Sequence, residues 1–202
     1  MLTLPLLRKM LNRAGTELKA NSKYLCELDS VAGDGDHGIT IGRMADVMKE
    51  KTEDTTIDTM RVLLDELGDA FMGINGGSAG PLWGTVFTGM AEGIDDQAEL
   101  TDLELRKMFT QAKEDFMDIS KAKPGDKTMV DALYPAIDAI IETQGSLKEI
   151  MTAAAADAGA EQTSTMVARF GRAKNMGERS IGTKDPGAVS IAILFNGMAQ
   201  AL

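Results

Sequence analysis

The chain has one cysteine, one histidine and one tryptophan in 202 residues. With Cys26 alone no intrachain disulfide can form, which fits a reducing compartment. Aromatic residues make up 4%, β-branched residues form no long run and strict alternation is rarely sustained, so strand signals are weak. No apolar run approaches the ~20 residues of a membrane span. The opening stretch MLTLPLLRKMLNRAG lacks the order and cleavage site of a signal peptide and reads as an amphipathic helix. Positive charge is scarce as well. Lys and Arg number 21 against 31 Asp and Glu, a formal charge of −10. That balance argues against nucleic acid and against an anionic membrane surface. An anionic ligand would need metal ions or local amide donors to offset the repulsion. The expectation is a soluble, cytoplasmic protein. Without a repeat, low-complexity tract or long polar linker, residues 1–202 read as a single domain.

Helical periodicity fills the rest. Leu4, Leu7, Met10, Leu11 and Ala14 share one face, and Leu18, Tyr24, Leu25 and Leu28 extend it toward Asp29. Further helices are predicted over 38–52, 57–73, 79–93, 101–119, 128–144, 146–170 and 187–201, eight in all. Thr101 with Glu104 and Ser146 with Glu149 spell capping boxes, Thr56 or Asp58 is placed to cap the third helix, and Pro81 suits the first turn of the fourth. Amphipathic helices joined by short loops predict an all-α fold, an antiparallel bundle or an up-and-down helical barrel. Fourteen methionines fit adaptable core packing.

The unusual residues lie in four Gly-rich connections, 33–38, 73–80, 121–127 and 171–187, which alternate along the helices and so can converge on one mouth. In the first, VAGDGDHGIT, Asp34 and Asp36 stand near Asp29 at the end of the first helix. Three carboxylates make a hard-oxygen site suited to Mg²⁺ or Ca²⁺. An EF-hand is excluded, because the twelfth position counted from Asp34 is Ala45. A Mg²⁺ completed by waters and phosphates fits better; a turn with helix-capping aspartates is the plain alternative. His37 is readable as ligand, nucleophile, phosphate contact or structural hydrogen bonder, with phosphate or substrate contact preferred beside the acids. The second loop, GINGGSAGPLWGT, puts bare amides at a helix start, which suits phosphate; close helix packing through small residues is its alternative. Neither a Walker A nor a Rossmann pattern occurs. The third, KAKPGDKT, carries Lys121, Lys123 and Lys127. The fourth gathers Arg172, Lys174, Arg179 and Lys184 in about 17 residues, the composition of a basic lid over an anion. Acid loop, Gly-rich helix start and basic lid are the parts of a Mg-nucleotide phosphate site.

In order and spacing, LDSVAGDGDHG, GGSAGPLWGT, KPGDKTMVDAL and GRAKNMGERSIGTKDPGA resemble the nucleotide-binding L subunits of bacterial dihydroxyacetone kinases, nearly end to end. The resemblance implies eight antiparallel helices in a barrel with ADP (ATP when phosphorylated) and two Mg²⁺ ions at one end. It assigns the metals to Asp29, Asp34 and Asp36, and the nucleotide to His37, Gly38, Ile39, Thr40, Ser78, Ala79, Met129 and Arg172. Asp185, Pro186 and Gly187 complete the lid, and Ser120 stands at a nucleotide-contact position where a related member has glycine. It implies no certain catalytic residue in this chain. Dihydroxyacetone sits on a separate K subunit, and a phosphohistidine-carrying M subunit of the phosphotransferase system recharges bound ADP. With no K domain in the chain, the multi-subunit arrangement is expected. Three readings compete: a kinase module exchanging ATP, a nucleotide-dependent regulatory protein that docks on a transcription regulator, and a kinase domain acting on a carrier-bound fatty acid. DGDHG and GERSIG favour the dihydroxyacetone branch over the last.

Overall fold

A side-chain amide interrupts the first predicted helix. In this computed structural model, which describes residues 1–202 apart from the side chains at 156 and 157, α1 (Leu4–Ala20) and α2 (Ser22–Asp29) replace the single helix expected to reach Asp29. The Asn21 side chain donates to the Glu17 carbonyl at 2.8 Å, and its backbone leaves helical geometry. Then follow α3 (His37–Glu53), α4 (Met60–Met72), α5 (Ala79–Glu92), α6 (Asp102–Ile119), α7 (Val130–Glu142), α8 (Leu147–Asp157) and α9 (Pro186–Gln200). Both predicted capping boxes form, at Thr101 and Ser146. Neither Thr56 nor Asp58 caps α4; Thr59 does, accepting from Val62 N at 3.1 Å.

The helix predicted to run to 170 stops at Asp157. Gly159 follows, and from Ala160 to Thr165 the chain tightens into 3₁₀ turns. There the hydroxyls of Thr163, Ser164 and Thr165 each donate to the carbonyl three residues back, the competition that Ser and Thr offer a helix.

The helices close a ring. α1 packs on α3, and α3 to α9 each pack on the next, until α9 returns to α1. The seams are tight where side chains are smallest. A Cβ added at Gly197 in α9 would lie 2.5 Å from Ala14 Cα in α1. Inside the ring, Phe71 meets Phe87 edge-on with centroids 5.0 Å apart, beside a buried Trp83.

Successive connections fall at opposite ends. At one rim β1 (Leu2–Thr3) pairs antiparallel with β2 (Glu99–Leu100), Leu2 opposite Leu100. This is the one strand pairing among the described residues, in keeping with weak strand signals. On that rim Arg8 donates to the carbonyls of Thr52 (2.6 Å), Asp54 (2.8 Å) and Ile57 (2.6 Å), tying down the end of α3. Arg106 does the same for Ile141 and Thr143 at the end of α7. Leu202 lines a shallow hollow there with Lys148 at the start of α8. The four Gly-rich connections precede α3, α5, α7 and α9, at the other rim. No helix among the described residues is long and apolar enough to cross a membrane.

Candidate functional site

α2 ends and α3 begins on the same carboxylate. Asp29 Oδ2 accepts from the Asp36 amide at 3.0 Å and the His37 amide at 3.3 Å, so one acid holds the first turn of α3. The loop between is drawn in tightly: Gly33 N donates to Asp29 O at 2.6 Å, and Gly35 has φ +75°. As a result, one carboxylate oxygen each from Asp29, Asp34 and Asp36 lies within 4.8 Å of the others. Arg172 forms an ion pair with Asp34, and that hydrogen bond holds the Asp34 carboxyl below its ordinary range. Asp36 moves the other way: lost solvation and then the negative charges of Asp34 and Asp29 raise it. One guanidinium leaves the three acids under-compensated. Hard oxygens at this spacing, with residual like-charge repulsion, fit a divalent cation with Mg²⁺ or Ca²⁺ chemistry.

His37 is half-buried and turned inward. Its Nε2 lies 3.2 Å from Ser190 Oγ, and the Ser190 hydroxyl reaches Gly187 O at 2.9 Å. Burial lowers the His37 pKa; the Asp29 charge and a hydrogen bond to the Pro186 backbone oppose this. Asp185 caps α9, accepting from Ala188 N at 2.8 Å. Loss of solvation pushes its pKa up to about 7. Gly187 passes against Met129, whose Cβ would be 3.3 Å from a methyl placed there. From the opposite side, Gly76 abuts the buried Thr40 side chain, which would clash with any Cβ at 76. Gly77, with φ +66° and open space around it, leads into Ser78, the exposed first residue of α5's N-terminal boundary.

Of the residues expected at the site, the structure brings Asp29, Asp34, Asp36 and Arg172 into one cluster. It ties His37 to the Pro186–Gly187 turn and brings Met129 against Gly187 and Thr40 against Gly76. Gly38 is buried against α2 at Ser22 and Cys26, a packing position. Ile39 is 54% exposed on the outer face of α3. Ser78 and Ala79 stand at the start of α5, and Ser120 caps the end of α6, where its hydroxyl accepts from Ala122 N at 3.3 Å. The lid is not irregular throughout: Arg172–Ser180 forms 3₁₀ turns, kinked at Gly177 with φ +55°. Sequence reasoning missed Ser190, whose signal is a single hydroxyl within the apolar run GAVSIAILF. It also grouped Lys127 with Lys121 and Lys123 without distinguishing it, whereas Lys127 is 4% exposed.

Residues 31–200 match the DAK2 domain family. The ADP-binding subunit DhaL of the phosphoenolpyruvate-dependent dihydroxyacetone kinase of Escherichia coli is 35% identical over 95% of this chain and 93% of its own length. The corresponding subunit of kinase 1 of Listeria innocua is 36% identical at the same coverages, 95% and 93%. An L-erythrulose kinase of Pectobacterium atrosepticum is 36% identical over 95% of this chain, which spans only 34% of that protein. Among solved structures, the C. freundii dihydroxyacetone kinase in complex with AMP-PNP and Mg²⁺ superposes with TM-score 0.72 at 27% identity, covering 98% of this chain and 34% of that one.

Proposed function

Because the chain belongs to the DAK2 domain family, we infer that it is the ADP-binding subunit of a multi-subunit, phosphoenolpyruvate-dependent dihydroxyacetone kinase, a phosphotransferase. The likeness to ADP-binding subunits of the same length carries this reading, and the acid cluster facing Arg172 supplies the chemistry. A single domain over 1–202 holds two Mg²⁺ ions on Asp29, Asp34 and Asp36, and the nucleotide lies along His37–Thr40, Ser78, Ala79, Ser120, Met129, Arg172 and Asp185–Gly187. A K subunit presents dihydroxyacetone, a phosphohistidine-carrying M subunit recharges the ADP, and the setting is cytoplasmic.

Bound Mg-nucleotide would supply the transferable phosphoryl group and neutralise charge as it moves. The chain's own residues position and compensate. Asp29 is held by two amides at the start of α3, so it sets where a cation sits relative to the helix start. Arg172 brings a positive charge to the same place from the lid. Backbone amides at the exposed start of α5 are donors for phosphate. Among the described residues none at the mouth is a free general base: His37 is engaged with Ser190, Asp185 caps α9, and the three acids would be committed to the cation. The proton of the accepting hydroxyl must therefore go to a group on the partner subunit. The likeness to an L-erythrulose kinase over about a third of that protein favours a donor module that serves more than one ketose, with acceptor choice made elsewhere.

The test is a product assay for dihydroxyacetone phosphate with each component omitted in turn. This chain with ATP, Mg²⁺ and dihydroxyacetone is expected to give no sustained product. Addition of the K subunit should allow about one turnover per bound nucleotide, and a phosphohistidine donor should sustain it. Sustained product from the chain alone would overturn the reading.

A further inference from the structure

Lys121 and Lys123 point into solvent, yet Lys127, six and four residues on, is buried. Its ammonium donates to the carbonyls of Thr163 (2.7 Å), Ser180 (2.8 Å) and Thr183, so all three donors are used. No carboxylate touches it. The backbone is bent to deliver it: Lys127 has φ +61°, a left-handed conformation rare for a residue with a Cβ, and follows Gly125 at φ +94°. Asp131 holds that turn, accepting from Gly125 N at 2.5 Å and Thr128 N at 2.8 Å. The three carbonyls belong to the two ends of one loop, Thr163 before it and Ser180 and Thr183 after it. Between them lies Arg172. The neck is closed further by Gly182 N on Ser164 O (2.7 Å) and Asp185 N on Thr163 Oγ1 (2.9 Å). Arg169 N joins the loop to Asp126 O at 3.0 Å, beside the lysine's own turn.

Resting on the nucleotide-site reading for its consequence, we propose that Lys127 is a positioning residue: it clamps the neck of the 164–179 loop and thereby sets where Arg172 meets the phosphates and Asp34. It acts through Arg172 and touches no ligand itself. Arginine cannot substitute, because a planar fork does not aim three donors at carbonyls converging on one point.

The experiment uses the full chain with Lys127→Met and Lys127→Gln, the second retaining a donor should the first fail to fold. Hydrogen exchange of nucleotide-free protein should rise roughly tenfold or more across 164–179 while α4 and α5 stay unchanged. Titration with ADP and Mg²⁺ should show roughly tenfold weaker binding, and Arg172→Ala added to Lys127→Met should weaken it little further, because both changes remove one effect. Unchanged loop exchange overturns the clamp. Full additivity with Arg172→Ala, or a lower melting temperature with ADP affinity intact, overturns the positioning role and leaves a structural lysine. If the wild-type chain binds no ADP, the nucleotide reading fails, and the exchange measurement still decides the clamp.

Discussion

Asp185→Asn should make the nucleotide-free protein more stable at pH 8, by an amount that disappears in acid. The Asp185 carboxyl caps α9 through Ala188 N at 2.8 Å. Lost solvation raises its pKa from 3.8 to about 7, the nearby Asp131 charge adds to this, and Lys127 and the Ala188 and Gly187 amides oppose it. Between pH 3.8 and about 7 the folded chain keeps a proton that the unfolded chain has released. Stability therefore falls as pH rises through that window, and the loss is complete above about 7. At 1.36 kcal/mol per pH unit over roughly three units, the cost at pH 8 has a ceiling of about 4 kcal/mol. Asparagine caps helices as well as aspartate does, so the cap survives while the charge goes. Removing that charge also withdraws a favourable field from Lys127, which brings the expected gain to roughly 1–3 kcal/mol. For a chain of this size that is a rise in melting temperature of about 3–10 °C at pH 8. Urea melts with a chelator present, at pH 5 and pH 8, measure it. A gain of equal size at both pH values, or a loss at pH 8, would refute the reasoning.

Asp36→Asn should abolish Mg²⁺-dependent ADP retention, read by native mass spectrometry, while raising the melting temperature of the metal-free form, because it relieves repulsion from Asp34 and Asp29. Unchanged retention would remove the metal assignment. Arg172→Ala should weaken ADP binding by roughly tenfold or more, as expected for loss of a charge-assisted phosphate contact. Proteolysis of wild-type chain between 172 and 185 should slow with ADP and Mg²⁺; equal rates with and without them would count against a lid.

The helices were legible because their signals are local. Capping boxes at Thr101 and Ser146 needed only four residues each, and both formed. The acid cluster was legible for a similar reason: Asp34 and Asp36 share a short Gly-rich loop, and Asp29 closes the preceding helix. Apart from the break at Asn21 and the cap at Thr59, which are local, what failed involved choices between partners far apart in sequence. Residues 158–170 carry enough Ala, Glu, Gln and Met to pass as helix, but Thr163 is needed to receive Asp185 N and to offer its carbonyl to Lys127, at 22 and 36 residues' separation. Lys127 looks like any loop lysine until the other end of its contact, beyond 160, is in place. Ser190 acquires meaning only when α9 is laid beside α3 and its hydroxyl meets His37, 153 residues away in sequence.

Both chain ends lie away from the mouth. β1 opens the chain on the far rim, and Leu202 closes it beside the start of α8. A polypeptide joined at either end would leave from the side opposite the Gly-rich loops, so attachment would not obstruct what approaches them. The same barrel can then serve as a free-standing chain or as one segment of a longer one, as in the relatives of which a domain of this kind makes up about a third. A linker of suitable length would convert a partner met by diffusion into one held nearby, raising its effective concentration without a change to any helix. For engineering, tags, surface anchors or a covalently fused acceptor domain belong at these termini.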